Sequence, residues 1–478
     1  MNVTLTLTVA AAVRIVTLDQ QSFWYDEAVT LEDVQGSLTD VVGRVRGSEA
    51  TPPLYFVLAW AWRQSVGTGE VGLRLLSTVI GVVTVALVIA ATQRLTDRPT
   101  ALLAGALAAL NPFLIYYAQE ARAYALLALL TFSSVAAAAI AVRERRRAYI
   151  AAWAITAALG LVTHYFAIFI VAPTAMWLLL AYPMRRPAAI AVGFVGLTGL
   201  AVLPLLVEQR GSGRTDWVTA SPLHTRSLQL PEEVLAGPEA WRPIPLTALA
   251  LAGLATAIAA GGRSAGRHRD VAVVMVLLAA SAIAIALVIA RAGLDVILPR
   301  NFIPVVPVLI VGVAAAVAPA LGGGAEGNVR IAALVGTAVV FLVGLAGVVA
   351  PIVDRDVRRR PDWRAAADAV SAGGRPGFLV VAPPSNTRPL RVYLPLKRIP
   401  MQRIRARKIA VVRLLVDVGG RAAPSGRGAR LQGFSLSRMR PSRQIEVLVY
   451  RAAREKFVSR SELRRIARPG RARLASVR

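Results

Sequence analysis

At 478 residues, 56% of them hydrophobic, and with a mean hydropathy of +0.57, the chain is too apolar for a water-soluble domain, and apolar blocks of roughly 18 to 23 residues mark a multi-span membrane protein. The absence of cysteine excludes a disulfide framework, a Cys-based metal site and a thiol nucleophile. The net charge of +28 is uneven: from Asp354 onward 31 Lys and Arg face 8 Asp and Glu, a balance of +23 that leaves +5 for the rest. A basic segment of this kind meets anionic headgroups, phosphorylated lipids or nucleic acid, and no nucleic-acid module is recognisable.

The first apolar run, residues 2–18, lacks a basic leader and a small-residue cleavage site. It reads as a retained span, with Arg14 placed to snorkel to an interface. In the polar stretch over residues 19–52, Ser22-Phe23-Trp24-Tyr25-Asp26-Glu27 sets two adjacent carboxylates behind three aromatics. A carboxylate is costly in lipid, so the pair belongs at the membrane surface, where Trp and Tyr also settle. After Thr51-Pro52-Pro53, the apolar residues 54–62 are too few to span and predict a helix lying flat in the interface. Further spans are expected over residues 71–91 and 101–115, up to the basic cluster 143–147, over 148–162, up to 184–186 and up to about 207. A polar segment, 208–242, separates these from an eighth span ending at the basic loop 263–270, a ninth at 291–300, a tenth at the Gly-rich 321–330 and an eleventh at about 352.

Short cytoplasmic loops concentrate Lys and Arg. Counting eleven spans, the even-to-odd connections hold the basic clusters at 94–98, 143–147, 185–186, 263–269 and Arg330, while Asp26, Glu120, His164 and Arg300 fall on odd-to-even connections. The expectation is a multi-pass cell-membrane protein with a cytoplasmic N-terminus and with those four residues and the C-terminal domain extracytoplasmic. The chain divides accordingly into a transmembrane domain, 1–353, and a basic soluble domain, 354–478. In the latter, Asp362-Trp363-Arg364 opens a helix through Val370, and residues 378–381, 410–418 and 445–450 read as strands of a small α/β domain. The last ~25 residues read as a basic amphipathic or disordered tail.

Asp26 and Glu27 supply a candidate general base for a hydroxyl or amine. Glu120 lies beside Gln119 and Arg122, a second carboxylate next to a cation, or a local ion pair at a helix end. Arg74 and Arg300 offer guanidinium forks to a phosphate, or anchor to headgroups. His164 suits an acid, a metal ligand or a hydrogen-bonding residue. Glu27 and Glu120 are the hard oxygen donors for a divalent cation, if one is used.

Five motifs in order carry a family resemblance: Ser22-Phe23-Trp24-Tyr25-Asp26-Glu27-Ala28, Thr51-Pro52-Pro53-Leu54-Tyr55, Gly72-Leu73-Arg74-Leu75-Leu76-Ser77, Tyr117-Ala118-Gln119-Glu120-Ala121-Arg122-Ala123-Tyr124 and Thr163-His164-Tyr165-Phe166. Over about residues 10–320 the chain resembles glycosyltransferase family 39, within the GT-C membrane glycosyltransferases and related to the protein O-mannosyltransferases and the aminoarabinose transferase of lipid A. The resemblance implies an all-α polytopic fold of about eleven transmembrane helices, with interfacial helices in the first outer loop. It also implies an outer-leaflet polyprenyl-phosphate sugar donor and an acceptor glycan, lipid or protein. Catalysis would be inverting, with Asp26 as base beside Glu27 and Glu120, and Arg74, Arg122, His164, Tyr165, Arg300 and Tyr55 would bind substrate. A lipid or sugar transporter or flippase is the rival reading. It predicts ionisable residues at mid-span and an internal repeat, whereas the carboxylates here cluster in connections.

Overall fold

Without water to satisfy backbone groups, long apolar runs must fold as helices. Among the described residues of the computed structural model, seven helices are long and apolar enough to cross a membrane. The structure describes residues 2–213, 218, 221–261, 266–295, 297–322, 325–354, 357–358, 360–372, 374–415, 429–467 and 472–477. The start of the expected basic loop at 263–270 and the end of the expected strand at 410–418 lie outside the described residues. Two compact units divide the chain, Met1–Leu18 with Asp33–Val357, and Asp19–Glu32 with Arg358–Arg478. The division drawn from the sequence at 353/354 therefore meets a second unit that also takes in residues 19–32.

In chain order the helices up to residue 118 are α1 (Val3–Ile15), α2 (Tyr25–Asp33), α3 (Leu38–Ser48), α4 (Leu54–Val66), α5 (Glu70–Leu95), α6 (Arg98–Leu110) and α7 (Pro112–Ala118). Then come α8 (Tyr124–Glu144), α9 (Arg147–Leu161), α10 (Ile168–Ala181, entered through the 3-10 turn Tyr165–Ala167), α11 (Arg185–Arg210) and α12 (Leu223–Leu235). Finally come α13 (Pro243–Gly261), α14 (Arg267–Arg291), α15 (Val306–Leu321, entered through the 3-10 turn Pro299–Val305) and α16 (Gly327–Val353). The seven long apolar helices are α5, α8, α11, α13, α14, α15 with its leading turn, and α16, and the bent pair α6 and α7 makes an eighth if counted as one span. The other three expected spans are shorter apolar helices, α1, α9 and Tyr165–Ala181. The 13 residues of α4 reach about 20 Å, short of a hydrocarbon core of about 30 Å. Helices α13 and α16 pack through facing glycines, since a Cβ on Gly253 would lie 2.8 Å from the Gly336 carbonyl oxygen, the small-residue contact that lets helices approach in lipid.

Two expectations fail here for one physical reason. The continuous span expected over 101–115 is broken by 58° between α6 and α7, because Pro112 has no N–H to give the Ala108 carbonyl. Arg14 makes up the loss rather than snorkelling. It is 1% exposed, and its guanidinium donates to the Ala108 carbonyl at 3.2 Å, to Ala109 at 3.0 Å and to its own helix at Ala10 at 3.0 Å. Asn111 then caps α7 by accepting from the Leu114 N–H at 2.9 Å. Gly81 leaves the passage open, since a Cβ there would stand 3.2 Å from Arg14 Nε.

The second unit is a six-stranded sheet in the order β2-β6-β1-β3-β5-β4. Its elements are α17 (Trp363–Ser371), β1 (Phe378–Ala382), α18 (Thr387–Tyr393), β2 (Leu396–Ile399), β3 (Ile404–Leu414), β4 (Ser435–Ser442), β5 (Ile445–Val458), α19 (Arg460–Ile466) and β6 (Arg473–Val477). Strand alternation divides the core between two faces. Leu379 and Val381 pack with Trp363, Val370 and Leu390 on one, and Val380 packs with Leu463, Ile466 and Leu474 on the other. Of the two readings of the tail, the disordered one is corrected among the described residues: α19 is held by a Ser459–Glu462 capping box and is amphipathic, with Leu463 and Ile466 buried, and β6 lies between β1 and β2.

Candidate active site

In the second unit, Asp26 and Glu27 occupy the first turn of α2, where the helix dipole favours negative charge. Their environments differ. Glu27 is 0% exposed and turns back so that Oε2 accepts from the Trp24 N–H at 3.4 Å. Asp26 is half-buried, and its carbonyl accepts from the Thr30 hydroxyl at 3.2 Å. The segment is clasped by residues far away in sequence. Ser22 Oγ donates to the Pro361 carbonyl at 3.2 Å and accepts from the Trp363 N–H at 2.8 Å. The Phe23 N–H donates to the Tyr393 hydroxyl at 2.7 Å, and Arg358 donates to the Gln20 carbonyl at 3.0 Å.

In the first unit, the residues chosen from four separate connections gather at one end. Arg300 stands over the Tyr124 ring at 5.7 Å, and Tyr124 lies 5.7 Å from the His164 ring. His164, in the connection between α9 and α10, accepts from the Phe166 N–H through Nδ1 at 3.3 Å. Burial, reinforced by the Arg122 and Arg300 cations, pushes its imidazole down to about 3. A neutral His164 accepts or donates a hydrogen bond at physiological pH and carries no charge. Glu120 is buried, and its carbonyl accepts from the Arg122 N–H at 2.8 Å. Tyr55 Oη lies 3.1 Å from Ser77 Oγ. Tyr165 Oη donates to Gln209 Oε1 at 2.7 Å, and Gln209 Nε2 donates to the Val45 and Thr51 carbonyls at 3.1 and 3.2 Å. Arg74 is buried and donates to the Leu18 carbonyl at 2.8 Å.

Arg122, chosen from the sequence as a substrate ligand, makes a two-pronged pair with Glu49. Its Nη1 donates to Oε1 at 2.5 Å and its Nη2 to Oε2 at 2.7 Å, with side chains only 9% and 6% exposed. The sequence reading passed over Glu49, Gln209 and the clasp residue Tyr393, and it gave no role to Ser22 and Tyr124, which stand in its motifs. An acid two residues before the Thr51-Pro52-Pro53 run was the one visible hint of Glu49. The basic even-to-odd connections meet elsewhere in the same unit: Arg94 pairs with Glu144 at 2.6 Å, Arg143 donates to the Arg94 carbonyl at 2.8 Å, and Arg267 donates to the Thr96 carbonyl at 3.1 Å. Among the described residues, no three His, Asp or Glu side chains gather as a metal-holding group.

Comparison with known proteins agrees with this fold. Residues 50–207 match the family model for dolichyl-phosphate-mannose-protein mannosyltransferase. The chain is similar to the crystal structure of ArnT from Cupriavidus metallidurans in the apo state, at a TM-score of 0.55 and 14% identity over 94% of this chain and 97% of that one. It is similar to the same protein bound to undecaprenyl phosphate, at a TM-score of 0.53 and 14% identity over 94% and 97%. The oligosaccharyltransferase of Archaeoglobus fulgidus aligns at a TM-score of 0.43 and 12% identity, over 77% of this chain and 58% of that chain. No curated protein matches in sequence. The family model takes in four of the five motifs, all but the one at 22–28, and the two ArnT structures match in fold.

Proposed function

We propose that this chain, which has a GT-C fold, is a membrane glycosyltransferase that moves a sugar from a polyprenyl-phosphate donor to an acceptor hydroxyl or amine on the outer face of the membrane. The observation that carries the reading is the contrast within one helical turn. Glu27 is buried against backbone, while Asp26 keeps partial exposure in the same first turn of α2. Asp26 takes the acceptor's proton as the acceptor oxygen or nitrogen bonds to the anomeric carbon. The bond from that carbon to the phosphate oxygen breaks, and its electron pair leaves with the polyprenyl phosphate. One displacement inverts the anomeric centre, and a carboxylate base opposite a charge-stabilised leaving group suits its oxocarbenium-like transition state.

Arg300 is the first choice for the departing phosphate, since a guanidinium presents planar paired donors. Arg74 assists it from the first turns of α5. Arg122 is given to Glu49, and its role is to hold the chain around Glu120. The structure of ArnT with undecaprenyl phosphate supports a polyprenyl-phosphate donor for a chain of this fold.

The test uses purified full-length chain in lipid nanodiscs with polyprenyl-phosphate sugars of several kinds, and mass spectrometry of the lipid products. Release of free polyprenyl phosphate with a glycosylated acceptor is the expected result. Translocation of an intact lipid-linked sugar in liposomes, with no glycosidic bond broken, would establish the transporter reading instead.

A further inference from the structure

Three cations line one open cleft in the second unit, and two more stand on the neighbouring helical turn and strand. The cleft has a volume of about 550 Å³ and is lined by Arg391, Leu394, Pro395, Leu396, Lys397 and Arg398. Arg391 comes from the last turn of α18, and Lys397 and Arg398 from β2, the edge strand of the sheet. Arg388, one helical turn before Arg391, and Arg473, which opens β6 beside β2, complete the group. Burial and the fields of Arg398, Arg391 and Arg388 hold the Arg473 guanidinium below its ordinary range, which records how near the positive charges stand.

The same unit pairs its arginines wherever an acid is at hand. Glu446 lies 3.2 Å from Arg438 and 3.5 Å from Arg413, and Arg405 meets Glu455 at 3.2 Å. Beside the cleft, Arg388 reaches Glu32 at 3.6 Å. Among the described residues, no carboxylate makes an ion pair with Arg391, Lys397, Arg398 or Arg473. Like charges collected without counter-charge destabilise a fold, and an anion bound among them removes that cost. Guanidinium groups from a helix and from two adjacent strands are suited to the oxygens of a phosphate, which takes paired donors from several directions. The cleft volume falls in the range of ligand sites, roughly 300–1,000 Å³.

We propose that this cleft is a binding site for a phosphate-bearing ligand, held by Arg391, Arg398 and Arg473. Arg388 ties it to α2, since its guanidinium stands over the Tyr25 ring at 5.8 Å and Tyr25 immediately precedes Asp26. The ligand is either a phospholipid headgroup or a soluble phosphate.

The experiment measures binding of two probes to the full chain in phosphatidylcholine nanodiscs. The probes are inorganic phosphate, and vesicles of phosphatidylcholine with or without an equal share of phosphatidylglycerol. The double substitution Arg391→Ser with Arg398→Ser is compared with Arg407→Ser with Arg454→Ser, which removes the same charge from exposed positions outside the cleft. The cleft pair should weaken at least one probe by about tenfold or more, while the control pair changes it by less than about threefold. Loss confined to the phosphatidylglycerol vesicles assigns the site to headgroups, and loss with inorganic phosphate assigns it to a soluble ligand. Equal weakening by both pairs, or no binding of either probe to the unaltered chain, would overturn the proposal. Asp26→Asn should leave probe binding intact, so failure of the base assignment and failure of the cleft are read separately.

Discussion

The pair between Glu49 and Arg122 invites a quantitative test. Both side chains are nearly excluded from solvent, at 6% and 9%, and they meet through two hydrogen bonds of 2.5 and 2.7 Å, while the guanidinium also stands over the Phe56 ring at 5.6 Å. Removing one partner leaves a charge buried without compensation, a loss of about 3–5 kcal/mol in comparable sites. Glu49→Gln and Arg122→Met should each destabilise the first unit by roughly that amount. Removing both together strands no charge, so the double variant should be less destabilised than the sum, by a coupling of about 2–3 kcal/mol. The assay is reversible unfolding of the four proteins in mixed micelles, read as a double-mutant cycle. Additive effects, with a coupling below about 0.5 kcal/mol, would refute the pairing. Arg122→Met should raise the donor concentration for half-maximal rate no more than Glu49→Gln does. A selective rise in Arg122→Met alone would return the arginine to the donor phosphate.

Other consequences are equally direct. His164 sits at about 3 in the folded chain against an ordinary 6.5, so below pH 6.5 the unfolded chain binds a proton that the folded chain refuses, and stability is lost as the pH falls toward 3. The loss has a ceiling of about 5 kcal/mol, and His164→Gln should flatten the acid limb of the stability profile; identical profiles would remove the buried neutral imidazole from the account. Arg300→Lys should cut donor turnover while leaving the protein folded, because an ammonium cannot reproduce the planar fork; unchanged turnover in Arg300→Ala would make the arginine a structural contact of Tyr124. The chain has no cysteine, so Ser212→Cys and Ser435→Cys should react with an impermeant thiol reagent in intact cells. Arg186→Cys should react only after permeabilisation, and its labelling from outside would invert the topology.

The sequence disclosed whatever depends on local pattern. Apolar runs marked the long helices, and the unbroken apolar run over 378–381 marked a strand, which the structure buries on both faces. It hid what depends on partners distant along the chain. Nothing near Arg14 says that its donors are taken by carbonyls of Ala108 and Ala109, and Asn111-Pro112, inside the span expected over 101–115, is a break signal that the surrounding apolar run concealed. Ser22 meets Trp363 across 341 positions, a contact no periodicity encodes. The C-terminal strand was obscured because arginines flank the apolar Leu474 and Ala475, yet the spacing of Ser459 and Glu462 was a readable capping box. For the site, residue type and connection were enough to select Tyr124's neighbours His164 and Arg300. They could not reveal that a buried acid, Glu49, claims Arg122.

The central claim is that Asp26 removes the acceptor's proton, and single-turnover transfer from a polyprenyl-phosphate sugar, with acceptor present, tests it most directly. Asp26→Asn should fold, bind donor and transfer sugar about 100- to 10,000-fold more slowly than the unaltered chain, the span expected for loss of a general base. Turnover in Asp26→Asn within a few-fold of the unaltered chain would contradict the account.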